Sequence, residues 1–119
     1  MELQELPQYL TIDITGSLEE RFMDSEELYI RFLRKLLTAS DFAALKERAA
    51  AEDWQEALRR AHNLKGVCAN LGLTAMSADF AQLVQLLRSE SFQPQQVQAQ
   101  LTAIEPEWDK TLQYIKELD

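Results

Sequence analysis

Apolar residues recur every three or four positions along most of this 119-residue chain, and only three glycines and three prolines interrupt them. This period matches the 3.6 residues per turn of an α-helix, whereas the alternation typical of strands is confined to Leu10, Ile12 and Ile14. The sequence therefore predicts an all-α fold. We expect four long amphipathic helices in an antiparallel up-and-down bundle, with a short extra N-terminal helix.

The length of the chain allows one hydrophobic core, so we expect a single domain over residues 1–119. Residues 1–16 are expected to form an extended N-terminal arm across one end, and residues 17–119 the helical bundle. Residues that favour a helix start stand at Ser17, Asp24, Asp53, Thr74 and Pro94.

Two of the predicted helices contain residues that can interrupt a helix. The pattern that starts at Asp24 continues to about Ala51, and the sequence leaves open whether Ser40 and Asp41 divide it. In the last helix the apolar phase carries across Pro106, so we predict a kink there rather than an end. The inward face of the helix that starts at Asp24 is predicted to hold Leu28, Phe32, Leu36 and Leu37.

Charge and cysteine content narrow the class of function. Twelve basic and twenty acidic side chains give a formal net charge of −8, which repels nucleic acid and anionic membranes, so we expect neither as a partner. No apolar run approaches the roughly eighteen residues that span a bilayer. The single cysteine, Cys68, cannot form an internal disulfide, and its place among apolar positions fits a buried thiol in a reducing cytoplasm.

The only histidine, His62, is predicted to lie on the outward side of its helix. At about 100° per residue, it falls roughly 130° from the centre of the apolar arc. Lys65 and Gly66 share its face because they follow three and four positions later. Glycine costs a helix about 0.5–1 kcal/mol relative to alanine, so its presence there suggests that bulk beside the ring is unfavourable. An exposed imidazole is largely neutral at pH 7 and keeps one nitrogen lone pair free.

A known signature is matched by residues 62–66, His-Asn-Leu-Lys-Gly, and by Leu-Gly at positions 71–72. The stretch resembles the H-x-L-K-G signature and following Leu-Gly pair of the histidine phosphotransfer (HPt) domain family of two-component phosphorelays. The likeness extends to Asp13–Leu36 and Phe42–Ala61, so it covers nearly the whole chain.

This resemblance implies a phosphoryl carrier. His62 would hold the phosphoryl group as phosphohistidine on its far ring nitrogen and exchange it with the aspartate of a response-regulator receiver domain. The receiver would supply Mg²⁺ and most of the transition-state stabilisation, so no cofactor of the chain's own is expected. Receiver domains are the implied partners, with a hybrid histidine kinase as a further candidate, and the chain is expected to be a monomer.

Roles follow for the residues around His62. Lys65 is expected to offset the charge of the phosphoryl group, and Gly66 to leave space for the approaching partner. On the same face, partner contacts are expected from Gln55, Arg59 and Ala69.

A glutamine on the neighbouring helix holds the second imidazole nitrogen in some members of the family. A gap-free alignment from the signature places Val84 at that position, with Gln82 and Gln85 on either side. These two glutamines are the candidates for orienting the ring, and a backbone carbonyl or a water is the alternative.

Other classes of function remain open from the residues alone. A non-catalytic helical adaptor would bind a receiver or kinase domain through the same face without carrying phosphate, and the spacing by itself also fits an ordinary surface histidine. One histidine and one buried cysteine on different arcs cannot complete a coordination shell, so we expect no metal site. Nothing in the sequence is suited to holding ATP, so we expect no autonomous kinase activity.

Overall fold

The computed structural model describes residues 1–119 and contains helices and no strands, which confirms the all-α prediction. A 3-10 helix spans Leu3–Gln8. The α-helices that follow are α1 (Ile14–Arg21), α2 (Glu26–Lys35), α3 (Asp41–Ala50), α4 (Trp54–Asn70), α5 (Thr74–Arg88) and α6 (Pro94–Lys116). None of them is long and apolar enough to cross a membrane.

Four helices form a closed ring of contacts, with α3 packed on α4, α4 on α5, α5 on α6, and α6 back on α3. α2 also packs against α6. The buried apolar residues form one connected cluster that runs from Leu3 to Leu118. Within it, Phe80 meets Phe42 and Trp108 edge to face, with ring centroids 5.9 and 6.3 Å apart. Burying an aromatic ring of this size contributes about 1.5–3 kcal/mol.

The predicted extended arm is wrong, because the N-terminal segment is helical and packs on the core. A 3-10 helix has three residues per turn, which puts Leu3 and Leu6 on one side, and both are buried. α1 begins within the same segment, where the Asp13 carboxylate accepts a hydrogen bond of 3.0 Å from the Gly16 amide. Ser17 is therefore not the cap that the sequence predicts and lies buried inside α1.

The connection between α1 and α2 also differs from the prediction. Ser25, and not Asp24, caps α2, since its hydroxyl accepts the Leu28 amide hydrogen bond at 3.1 Å. Asp24 and Met23 have left-handed φ angles of +59° and +52° in the turn before it.

A break between α2 and α3 answers the question that the sequence leaves open. Residues 36–39 make consecutive hydrogen bonds to the carbonyl three residues earlier, and α3 starts at Asp41. The long helix predicted from Asp24 is thus two helices of ten residues each.

The Leu-Gly pair after α4 anchors the first two helices. Gly72 has a φ of +74°, and an added Cβ would collide with the Asp13 backbone carbonyl and lie 2.6 Å from the Ser17 hydroxyl. The Asp13 amide donates to the Gly72 carbonyl at 2.8 Å. Leu71 contributes its own carbonyl, which accepts a hydrogen bond from the Tyr29 hydroxyl of α2. The pair therefore acts as a structural junction as well as a helix stop.

The predictions for the remaining helix starts are partly confirmed and partly wrong. Asp53 caps α4 as predicted, accepting the Glu56 amide hydrogen bond at 3.3 Å. Thr74 is the first residue of α5 rather than its cap, and no side chain caps that helix. Pro94 opens α6 as predicted, and Pro106 does not end that helix.

Candidate functional site

His62 lies on the outward face of α4, as the apolar period predicts. Ala61 and Leu64, on the inner face, are 0 and 1 % exposed, whereas the His62 side chain is exposed. The neighbouring hydrogen bonds do not involve the imidazole: Arg59 donates to Glu56, and the Ser77 hydroxyl donates to the Lys65 carbonyl. The imidazole is therefore accessible, and no other protein group holds either of its nitrogens.

Gly66 stands one turn after His62 beside open space. A Cβ built on it has no heavy atom within 4 Å, in contrast to Gly72, where the neighbouring chain would clash. A close helix crossing therefore does not require this glycine. Because it has no side chain, Gly66 leaves open space next to the imidazole for an approaching molecule.

Lys65 joins α4 to α5 through its backbone and leaves its ammonium free. Its carbonyl accepts a hydrogen bond of 3.1 Å from the Ser77 hydroxyl of α5. The side chain is half-buried, and none of the salt bridges of the protein includes its ammonium. A positive charge one turn from His62 is therefore available to an anion on the ring.

A depression of about 500 Å³ lies on the N-terminal side of His62. It brings together two of the residues predicted to contact a partner, Gln55 and Arg59, with the imidazole. The other residues that line it are Asp53, Glu56, Leu58 and Arg88.

Arg88 is a site residue that the sequence analysis misses. It belongs to the last turn of α5, which returns along α4 after a short connection and reaches the first turns of that helix. A basic residue in the last turn of a helix is an ordinary partner of the helix dipole, so its position 26 residues after His62 carried no local signal.

Arg59 is held by a carboxylate in this structure. Its Nε donates to both oxygens of Glu56 at 3.0 Å, and its terminal nitrogen also donates to one of them. The hydrogen bond from Arg59 lowers the pKa of Glu56, and the same contact raises the pKa of Arg59. Arg60 donates to Glu56 at 3.2 Å and to Asp41 of α3 at 2.7 Å.

The structure does not bring the two predicted glutamines to the imidazole. Ala69 is exposed two turns after His62 on the same face of α4, outside the depression, and its contact with a partner stays a prediction. Gln82 lines a separate depression of about 180 Å³ between α5 and α6, and Gln85 is exposed on α5 and lines neither. Val84, at the aligned position, is 2 % exposed and belongs to the core. Neither glutamine forms the orienting hydrogen bond here.

An apolar groove of about 520 Å³ lies on the other side of α4, between that helix and α2. Phe32, predicted to face inward, is 39 % exposed there, and the Lys35 ammonium lies 4.2 Å from its ring centroid. α2 instead buries Tyr29 and Leu33, both 0 % exposed. The apolar residues that line the groove are Phe22, Leu28, Phe32, Leu36, Ala39, Leu64, Val67 and Leu71.

Comparison with protein families identifies one match. The model of the Hpt domain matches residues 18–118, a range that includes His62, both depressions and the groove. Among curated proteins and solved structures, no match to the chain is found.

Proposed function

This chain belongs to the HPt domain family, and we propose that it carries a phosphoryl group on His62 and exchanges it with aspartates of response-regulator receiver domains. The family implies a phosphotransfer role in two-component phosphorelays and interaction with receiver domains. The observation that supports His62 as the carrier is its exposed and unpartnered imidazole at the signature position, beside the open space at Gly66.

Transfer onto His62 requires little from this chain beyond access. The free nitrogen lone pair attacks phosphorus in line with the bond to the receiver's carboxylate oxygen. As the N–P bond forms, the P–O bond breaks, and the carboxylate leaves with the electron pair. The proton on the other ring nitrogen stays there during the attack, so no general base is needed. We propose that the receiver supplies Mg²⁺, which offsets the charge that builds up on the transferring group.

Cations of this chain support the phosphorylated state. A phosphoryl group on the ring brings close to two negative charges. The free Lys65 ammonium lies one turn after His62, and Arg88 of α5 lines the depression on the N-terminal side of His62. Both can offset part of that charge without any change in the backbone.

Docking of the receiver is proposed to extend from His62 into the apolar groove. α4 presents His62 and Gly66 on its outer face, and Leu64 and Val67 line the groove on the same helix. α4 is therefore the element that the imidazole and the groove have in common, and a partner that contacts both has to reach around this helix. Arg21 and Lys35 also line the groove together with one carboxylate, Asp41, so the lining of the groove has a net positive charge although the protein is acidic.

The test uses a purified receiver domain phosphorylated with labelled phosphate. We expect label to move to this protein in a form that is lost in acid, as phosphohistidine is. Because His62 is the only histidine, His62→Gln is expected to abolish that label while circular dichroism stays unchanged. Unimpaired labelling of His62→Gln would reject the site.

A non-catalytic adaptor is the second candidate, and the apolar groove is the observation that favours it, since a groove serves binding whether or not phosphate moves. An adaptor would bind the receiver equally well in wild type and His62→Gln, and neither protein would become labelled. Binding measured by calorimetry beside the labelling experiment therefore separates the two functions.

The free, buried thiol of Cys68 supports the further proposal that the protein works in a reducing cytoplasm.

A further inference from the structure

Glu56 has an unexpected orientation at the start of α4. It is the third residue after the cap Asp53, where a glutamate often reaches back to the amide of the capping residue. That amide instead donates to the Arg48 carbonyl at 2.9 Å. The Glu56 carboxylate turns forward and binds the guanidinium of Arg59 through both oxygens.

Arg59 also lines the depression beside His62, one turn before it on the same helix. The two residues are three positions apart on one helix, and their Cβ atoms are therefore about 5–6 Å from each other. Helical side chains lean toward the N-terminus, so the His62 ring leans over the turn that carries Arg59. The Arg59 side chain is 61 % exposed, which leaves it free to change partner.

Charge in the depression beside His62 is balanced before phosphorylation. Two carboxylates, Asp53 and Glu56, face two guanidiniums, Arg59 and Arg88. A phosphoryl group on His62 adds close to two negative charges and competes with Glu56 for the Arg59 guanidinium. Glu56 still keeps a cation if Arg59 leaves, because Arg60 contacts it at 3.2 Å and is fixed by Asp41.

We propose that Glu56 is a positioning residue that holds Arg59 away from His62 and thereby limits the stability of the phosphorylated imidazole. The Arg59 guanidinium moves from the Glu56 carboxylate to the phosphoryl oxygens when His62 is phosphorylated and returns when the group leaves. The competition keeps the group easy to pass on. The inference rests on the proposed phosphoryl-carrier function and adds a control of that same site.

The test compares Glu56→Gln with a charge-matched control, Glu47→Gln, which removes an exposed carboxylate of α3 that forms no salt bridge. Each protein is phosphorylated from the receiver and purified, and the first-order loss of label is followed. We expect Glu56→Gln to lose label about two- to fivefold more slowly, the factor that one exposed charge pair supplies. The partition of label between receiver and His62 should shift toward His62 by a similar factor. Glu47→Gln should match wild type.

A double variant isolates the role of Arg59. In an Arg59→Gln background, adding Glu56→Gln should change neither the rate at which label is lost nor its partition. The guanidinium for which the Glu56 carboxylate and the phosphoryl group compete is absent from both proteins. A shift that persists in this background would show that Glu56 acts through its charge alone and would overturn the exchange. Equal rates for wild type and Glu56→Gln would also overturn it.

Nitrogen NMR of the Arg59 side chain gives a readout that a merely structural role would not move. The Nε–H of Arg59 donates to both Glu56 oxygens in the unphosphorylated protein, so we expect its exchange to be slower in wild type than in Glu56→Gln. Its resonance should also shift when His62 is phosphorylated. An unchanged resonance in a labelled protein would overturn the exchange but leave His62 as the carrier, whereas no label on wild type would reject the carrier function itself.

Discussion

The hydroxyl of Tyr29 donates a hydrogen bond of 2.6 Å to the backbone carbonyl of Leu71, joining α2 to the end of the helix that carries His62. Tyr29 is 0 % exposed, and burial of its phenol raises the pKa of that group because the phenolate is poorly solvated there. The contact fixes one side of the apolar groove, since Leu71 and the neighbours of Tyr29 line it. Part of the Leu-Gly signature is thus explained by helix packing rather than by phosphoryl chemistry.

Tyr29→Phe should lower the free energy of unfolding by about 1–2 kcal/mol, because the ring still fills its place while a buried carbonyl loses its donor. Urea unfolding followed by circular dichroism measures this. Label transfer to His62 should change little, since the ring is retained and Tyr29 lines neither the depression beside the imidazole nor the apolar groove. A midpoint equal to that of wild type would show that the hydrogen bond contributes nothing net.

Substitution by alanine is predicted to change the stability of the protein in opposite directions at Gly66, inside α4, and at Gly72, just after its end. Gly72→Ala should destabilise the protein by about 2 kcal/mol or more, since φ is +74° and the added methyl meets Asp13 and Ser17. Gly66→Ala should stabilise it by about 0.5–1 kcal/mol, because the methyl enters open space in the interior of a helix. Thermal unfolding of the two variants provides the comparison. A loss of stability in Gly66→Ala would mean that the site is not open.

The function assigned to Gly66 is tested by a larger side chain at the same position. Gly66→Gln should leave the fold intact and slow transfer from a phosphorylated receiver, because the side chain would occupy the open space through which we propose that the receiver approaches His62. Rapid-quench measurement of label transfer is the assay, and Gly66→Ala is the control with little added bulk. Equal rates for both variants and wild type would contradict a steric role for this glycine.

Periodicity was sufficient to predict the register of α4. The inner positions Ala57, Ala61, Leu64 and Cys68 are buried, and His62 is exposed. Helix starts were predicted less well, since several polar residues that can cap stand close together. Asp13 caps α1 in place of Ser17, because the junction with Gly72 fixes its backbone and buries the serine.

The parts of the candidate site that arise from packing between helices could not be read from one helix at a time. Arg88 reaches the depression only because α5 returns along α4, and the groove exists only because α2 leaves Leu28 and Phe32 partly uncovered. Periodicity placed Phe32 on the inner face of its helix, but Tyr29 and Leu33 take that place. The apolar arc of α2 is wider than the surface that the bundle covers, and which residues stay open depends on its neighbours.

Phe32 is expected to contribute to receiver binding through the groove. Its ring is 39 % exposed and lies 5.5 Å from that of Phe22, so a docking surface would bury the remainder. Phe32→Ala should weaken binding at least fivefold, as truncation of a central aromatic contact commonly does. Calorimetric titration with the receiver measures the affinity.

Tyr9→Ala is the matched control for Phe32→Ala. Tyr9 is 41 % exposed and stacks on Tyr114 with ring centroids 4.7 Å apart, but it does not line the groove. Receiver affinity should therefore be unchanged in this variant. If both variants lost affinity equally, the groove would not be the docking surface.

Alkaline pH should destabilise the protein through Cys68. The residue is buried on the inner side of α4, and burial raises the pKa of its thiol to about 12. A thiol of the unfolded chain ionises near pH 8.5, so above that pH the unfolded state gains a stabilising ionisation that the folded state lacks. The contribution of the neutral thiol to stability is complete below about pH 8.5 and is lost progressively as the pH rises toward 12.

Urea unfolding between pH 7.5 and 9.5 tests this sign before tyrosines of the unfolded chain ionise near pH 10. For wild type, the free energy of unfolding should fall above pH 8.5 with a slope that approaches, and does not exceed, about 1.4 kcal/mol per pH unit for this one group. Cys68→Ala should be less stable at pH 7.5 because it leaves a small cavity, yet lose less stability with rising pH. The two curves therefore approach each other. Parallel curves would mean that the thiol ionises equally in both states, which complete burial of Cys68 does not allow.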